Sequence, residues 1–169
     1  MFRQNSLAKL SPDVVFEEID GVSLATIPLT GLEKNSTRNK VRGFISVKEF
    51  SDQSLDPVLY LKSYLNRTCE ARVTYLMQSG GPPKGLFLAL SSPHQPVQPC
   101  TLAKWLLSIM HLSGIDTNAY KAQSARSASA AHMKTTQGMS LAQILDRGFW
   151  SKREGTSKVF KTFYDKPVN

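Results

Sequence analysis

The sequence is poor in the residues that build metal and disulfide sites. Its 169 residues hold two cysteines, Cys69 and Cys100, and three histidines. The cysteines are far apart, form no C-x-x-C, and have no His at ligand spacing. That argues against a disulfide framework or a zinc site and for a reduced, intracellular protein with two ordinary thiols. No run of about 18 apolar residues occurs, so no segment reads as a membrane span. The opening MFRQNSLAKL lacks the apolar stretch of a secretory leader. Acids are scarce too: 13 Asp and Glu stand against 21 Lys and Arg, for a net charge of +8 and a pI near 9.6. This balance favours a polyanionic partner, nucleic acid first and an anionic membrane surface second. No internal repeat is present. What remains, 41% hydrophobic and 20% charged, is the composition of one soluble globular domain with a real core.

Taken in order, Phe2 to Leu10 reads as the last turns of a helix arriving from outside the chain, which suggests an N-terminally truncated domain. Val14 to Glu18 is a short strand. Asp20-Gly21 is a hairpin signal, and Val22 to Ile27 is the returning strand. From Thr30 to Arg42 the chain is a polar loop in which Lys34, Arg38, Lys40 and Arg42 stand against one acid, Glu33. Such loops commonly track phosphates, so these four are candidate DNA-binding residues. Gly43 to Val47 is a third strand. Asp56-Pro57 caps and opens a helix whose buried face is Val58, Leu61 and Leu65. Glu70 to Gly85 reads as irregular, with Gly80-Gly81-Pro82-Pro83 as a turn cluster. Leu86 to Leu90 is a strand or a buried extended segment. Pro99 opens an amphipathic helix along Leu102, Trp105, Leu106, Ile109 and Met110, stopped by Gly114. Trp105 belongs to that core face rather than to a site. The expected fold is α+β, mainly α, with a small three-stranded antiparallel sheet near the N-terminus.

The stretch from Tyr120 to Pro167 reads as three short helices. The first begins near Lys121, is packed with Ala and Ser, carries Arg126, and stops at Gly138. The second has a capping box, Ser140 and Gln143, and stops at Gly148. The third runs from roughly Thr156 to Tyr164, with Phe160 and Tyr164 one turn apart. Arg126, Trp150 and Tyr164 thus lie near ends of small helices, where side chains can converge on a phosphate. His132 is six residues past Arg126, well around the helix, and reads as structural or exposed.

Phosphodiester transfer needs a nucleophile, donors for the non-bridging oxygens, and an acid for the leaving oxygen. Arg supplies a planar fork that matches phosphate. A Tyr hydroxyl serves as nucleophile if neighbours help it lose its proton. The chain offers, in order, Arg3, Lys34, Arg126, Trp150 and Tyr164. This order resembles that of the tyrosine recombinases, the DNA breaking-rejoining enzymes, and more closely the recombinases of DIRS-like and Crypton-like mobile elements and their domesticated relatives. The strongest segments are DPVLYLKSYLNRTCEAR (56–72), LFLALSSPHQPVQPCTLAKWLLSIMHLSGI (86–115), and SAR, SLAQIL, FW and FYDKP in sequence.

The resemblance implies a single catalytic domain over residues 1–169, without the N-terminal helical domain that usually clamps DNA. It implies a helical DNA breaking-rejoining fold, double-stranded DNA as partner, action as a tetramer exchanging C-terminal segments, and chemistry without metal, ATP or other cofactor. An enzyme of this kind works on DNA, in the nucleus of a eukaryote or the cytoplasm otherwise. Residue by residue, Arg3 in Arg3-Gln4-Asn5-Ser6-Leu7 matches the first catalytic arginine, with Ser6 in place of the usual acid. Lys34 resembles the loop lysine that protonates the leaving oxygen; Lys40 competes for that role. Arg126 matches the second arginine, Trp150 the His-or-Trp position, and Tyr164 the nucleophile of the 3′-phosphotyrosyl bond. Two departures stand out. The family's H-x-x-R reads Gln123-Ser124-Ala125-Arg126, and a Gln amide is no base near neutral pH. Trp150 and Tyr164 also lie a few residues further apart than is usual, the extra piece being roughly Lys152 to Gly155. The alternative implied by both is a domesticated or decayed copy that binds DNA without cutting it.

Overall fold

The computed structural model describes residues 4–31 and 43–147. They belong to two units: residues 8–31 and 43–98 form one, residues 4–7 and 99–147 the other. Together they are α+β, with six α-helices and one three-stranded antiparallel sheet near the N-terminus among the described residues.

The sheet grows from one tight turn. Asp20 and Gly21 both take positive φ, 53° and 74°, as a two-residue hairpin turn demands. The turn sets the register of β1 (Val15–Ile19) on β2 (Val22–Pro28), with Ile19 opposite Val22 and Val15 opposite Thr26. Strand β3 (Phe44–Lys48) lies on the other side of β2, with Ile45 opposite Ile27. Side chains alternate along a strand, so Ala25 and Ile27 share one face of β2; both are buried, as is Ile45. Helix α1 (Gln4–Leu7) stops at Leu7, three residues before the helix end expected at Leu10. The chain leaves it to form a bridge from Leu10 to Leu29.

Helix α2 (Pro57–Arg67) packs on β2 and β3. It starts as expected: the Asp56 carboxylate accepts the Val58 N–H at 2.9 Å, and Pro57 opens the first turn. Val58 is buried, and Leu61 and Leu65 are half-buried. Upstream, Asp52 caps a short 3₁₀ turn at Gln53–Leu55. The Ser54 hydroxyl, then the Ser54 amide, holds the Asp52 carboxyl below the usual carboxylate range.

The stretch from Glu70 onward is not irregular. Residues Cys69–Ser79 form a third helix, α3, ended by Gly80 at φ 73°. Its apolar residues Val73, Leu76 and Met77 are exposed, while Arg72, Thr74 and Tyr75 are half-buried. The usual periodicity is largely inverted: the half-buried face carries Ala71, Arg72, Thr74 and Tyr75 and none of the large aliphatic residues.

The inversion has a purpose visible in the packing. Arg72 Nη2 donates to the Leu86 carbonyl at 2.6 Å. Burial pulls the Arg72 guanidinium below its ordinary pKa, and nearby Tyr64 works in the opposite direction. The Tyr64 hydroxyl accepts the Leu88 N–H at 2.9 Å, and its ring lies 5.7 Å from that of Phe87. The stretch from Leu86 is therefore an extended segment rather than a strand, with Leu86 and Leu88 buried but Leu90 89% exposed. Only an isolated bridge, Leu88 to Pro96, forms there. Leu86 N–H also donates to Leu10. Gly85 sits so close to Pro96 that a Cβ would lie 2.7 Å from the proline ring.

In the second unit α1 packs against α4 (Pro99–Leu112). Leu102 and Met110 are buried and Trp105 and Leu106 half-buried, but Ile109 is 60% exposed. The buried stripe is thus narrower than the expected face. Gly114, at φ 76°, follows the helix end. Helix α5 (Ser124–Thr135) starts three residues later than expected, because Lys121 to Ser124 closes a turn of its own. Ser124 N–H donates to Lys121 O at 2.7 Å, and Lys121 N–H returns to the Ser124 hydroxyl. Gly138, at φ 60°, turns the chain toward α6 (Leu141–Arg147). The capping box is in place: Ser140 N–H donates to Gln143 Oε1 at 2.8 Å, and Gln143 N–H to Ser140 Oγ. Between α5 and α6 lies a small core of Ala130, Met133, Ile144 and Leu145.

The Tyr64–Leu88 bond yields a direct prediction. Tyr64→Phe keeps the ring against Phe87 but leaves the N–H of the buried Leu88 without its acceptor. We expect a loss of about 1–3 kcal/mol in denaturant unfolding. Wild-type stability in this variant would show that the contact carries no weight.

Candidate functional site

Of the nine residues singled out from the sequence, two lie within the described part. Arg3, Lys34, Arg38, Lys40, Arg42, Trp150 and Tyr164 lie outside the described residues. So does the expected helix from Thr156 to Tyr164. The local geometry of Gln123 and Arg126 can be built in full.

Both are placed by the start of α5. Gln123 is its N-cap residue, with φ −72° and ψ −22°, and its side chain makes no capping bond. Its carbonyl accepts the Arg126 N–H at 3.0 Å. This contact fixes the two residues one turn apart, the relation that the spacing Gln123-x-x-Arg126 requires. Their exposures differ sharply. Gln123 is exposed, whereas Arg126 is 5% exposed, with Nε and Nη1 out of reach of solvent. Ala122 and Ala130, buried in the same unit, flank it one turn away in each direction. The Ala- and Ser-rich sequence of α5 offers small side chains around a large one.

An arginine in this position is unusual, since Arg is mostly exposed in folded proteins. A guanidinium offers up to five N–H donors in a planar fork. Such a group suits a phosphate or carboxylate better than a lone water-exposed lysine would. Gln123 adds an amide that can donate or accept a hydrogen bond but cannot take up a proton.

The charge is distributed unevenly. In the described residues 8–31 and 43–98 acids outnumber bases, with Glu17, Glu18 and Asp20 exposed around the hairpin. In residues 99–147 bases outnumber acids. The remaining positive charge belongs to Arg3, 32–42 and 148–169 by sequence. A polyanion is therefore not expected on the exposed hairpin of the sheet.

Among the described residues no cluster of His, Cys, Asp and Glu could hold a metal ion. His132 is exposed, in accord with its reading, and Cys69 and Cys100 are free and exposed. No described helix is long and apolar enough to cross a membrane. The sequence reading missed one buried cation, Arg72, because it assigned no helix to that stretch. The Ala-Arg-Val-Thr-Tyr run, uninterrupted by Gly or Pro, was the available signal. Comparison with protein-family models, with curated proteins and with solved structures gives no match.

Burial of Arg126 separates a structural from a functional role by experiment. Arg126→Met conserves length and removes the charge. If the guanidinium serves a ligand rather than the fold, the unfolding midpoint should change by less than about 1 kcal/mol, or rise. A loss above about 3 kcal/mol would make Arg126 a structural tie.

Proposed function

We propose that this chain is the catalytic domain of a DNA breaking-rejoining enzyme of the tyrosine-recombinase type. The observation that carries the reading is Arg126. It is buried one turn into α5, three residues after Gln123, at the place the ordered set Arg3, Lys34, Arg126, Trp150 and Tyr164 assigns to a phosphate-holding arginine. The basic balance of residues 99–147 and of the 32–42 loop supports a polyanionic partner.

In this reading Tyr164 Oη gives up its proton to solvent water and attacks the scissile phosphorus. A P–O bond to Tyr164 forms as the bond to the 5′ oxygen breaks, giving a 3′-phosphotyrosyl link and a free 5′ hydroxyl. Lys34 Nζ delivers the proton to the leaving oxygen, with Lys40 as the competing donor. Arg3 and Arg126 hold the non-bridging oxygens as charge builds there. Trp150 donates its indole N–H to the same phosphate. Attack of the 5′ hydroxyl of a second strand reverses the steps and rejoins DNA. Arg38, Lys40 and Arg42 track the backbone outside the reacting phosphate. Self-association on DNA follows from the same reading, since rejoining to a new partner needs more than one active site.

Gln123 favours a second reading. Where the resemblance places a histidine, this chain has an exposed amide that cannot act as a base. The longer Trp150–Tyr164 interval adds to this, since a misplacement of about 1 Å costs about 10²-fold. The second reading is a protein that keeps the basic surface and binds DNA without cutting it.

Incubation with a nicked suicide substrate distinguishes the two. The first reading predicts a covalent protein–DNA band that Tyr164→Phe abolishes. A band that survives Tyr164→Phe would overturn the assignment of the nucleophile. No band with wild-type protein, together with DNA binding, would establish the second reading.

Both readings make phosphate contacts the main source of affinity. Affinity for a nonspecific duplex should fall steeply with salt, the log–log slope tracking the number of phosphates neutralised at about −0.9 each. Replacing Arg38, Lys40 and Arg42 with Ala should flatten that slope by about 3. Binding insensitive to ionic strength would count against DNA as the partner.

A further inference from the structure

We draw no further inference here: the strongest candidate, the uncharged apolar face that α3 presents through exposed Val73, Leu76 and Met77, is an unpartnered helix surface, and nothing in the structure shows what covers it.

Discussion

A guanidinium is costly to take out of water, and the described part of this chain does it twice, once in each unit. Desolvation of a charge costs several kcal/mol unless hydrogen bonds and packing offset it. The two cases are offset differently. Arg72 is half-buried and works for the fold: it reaches from α3 to the Leu86 carbonyl, next to the Tyr64–Leu88 contact. These bonds tie the proline-rich segment around residues 83–97 to α3 and to α2, which packs on the sheet. The segment has no regular ladder, so scattered backbone bonds such as Val97 N–H to Phe87 O at 2.9 Å share with side chains the task of satisfying its backbone groups. Arg126 is the more deeply buried and lies near the start of α5.

The proposed role of Arg126 rests on its burial together with its place as the second arginine of the ordered set Arg3, Lys34, Arg126, Trp150 and Tyr164. Keeping a permanent charge beneath the surface is characteristic of sites that must meet an anion, where a preorganised donor is worth more in a low-dielectric setting than in water. Gln123, one turn earlier and exposed, adds hydrogen-bonding capacity and no proton chemistry. The pair offers hydrogen-bond donors and contains no base.

Much of the fold was legible in the residues. The hairpin was readable because Asp20-Gly21 is suited to a turn with two positive φ angles. The start of α2 was readable from Asp56-Pro57, and the start of α6 from Ser140 and Gln143, since caps are local chemistry. What was not legible depends on tertiary contacts. Helix α3 hides its polar side and exposes its apolar one, so its periodicity misleads. Ile109 fits the α4 stripe in sequence but has nothing packed over it. The start of α5 is delayed by the Lys121–Ser124 turn, a side-chain-to-backbone competition that periodicity does not reveal. For the candidate site, Gln123 and Arg126 could be paired from spacing alone, because one helical turn fixes it. The burial of Arg126 could not, because it depends on how α5 packs.

The central claim is that Arg126 and its neighbours form a phosphoryl-transfer site altered at one position. Restoring the missing base tests it most directly. The rate of covalent adduct formation on a suicide substrate should be measured for wild type and for Gln123→His under single-turnover conditions. The account predicts a faster reaction in Gln123→His, by about 10²–10⁴-fold if the imidazole serves as base, with the gain abolished by Arg126→Met. Equal rates in wild type and Gln123→His, or a gain that persists in Arg126→Met, would contradict it.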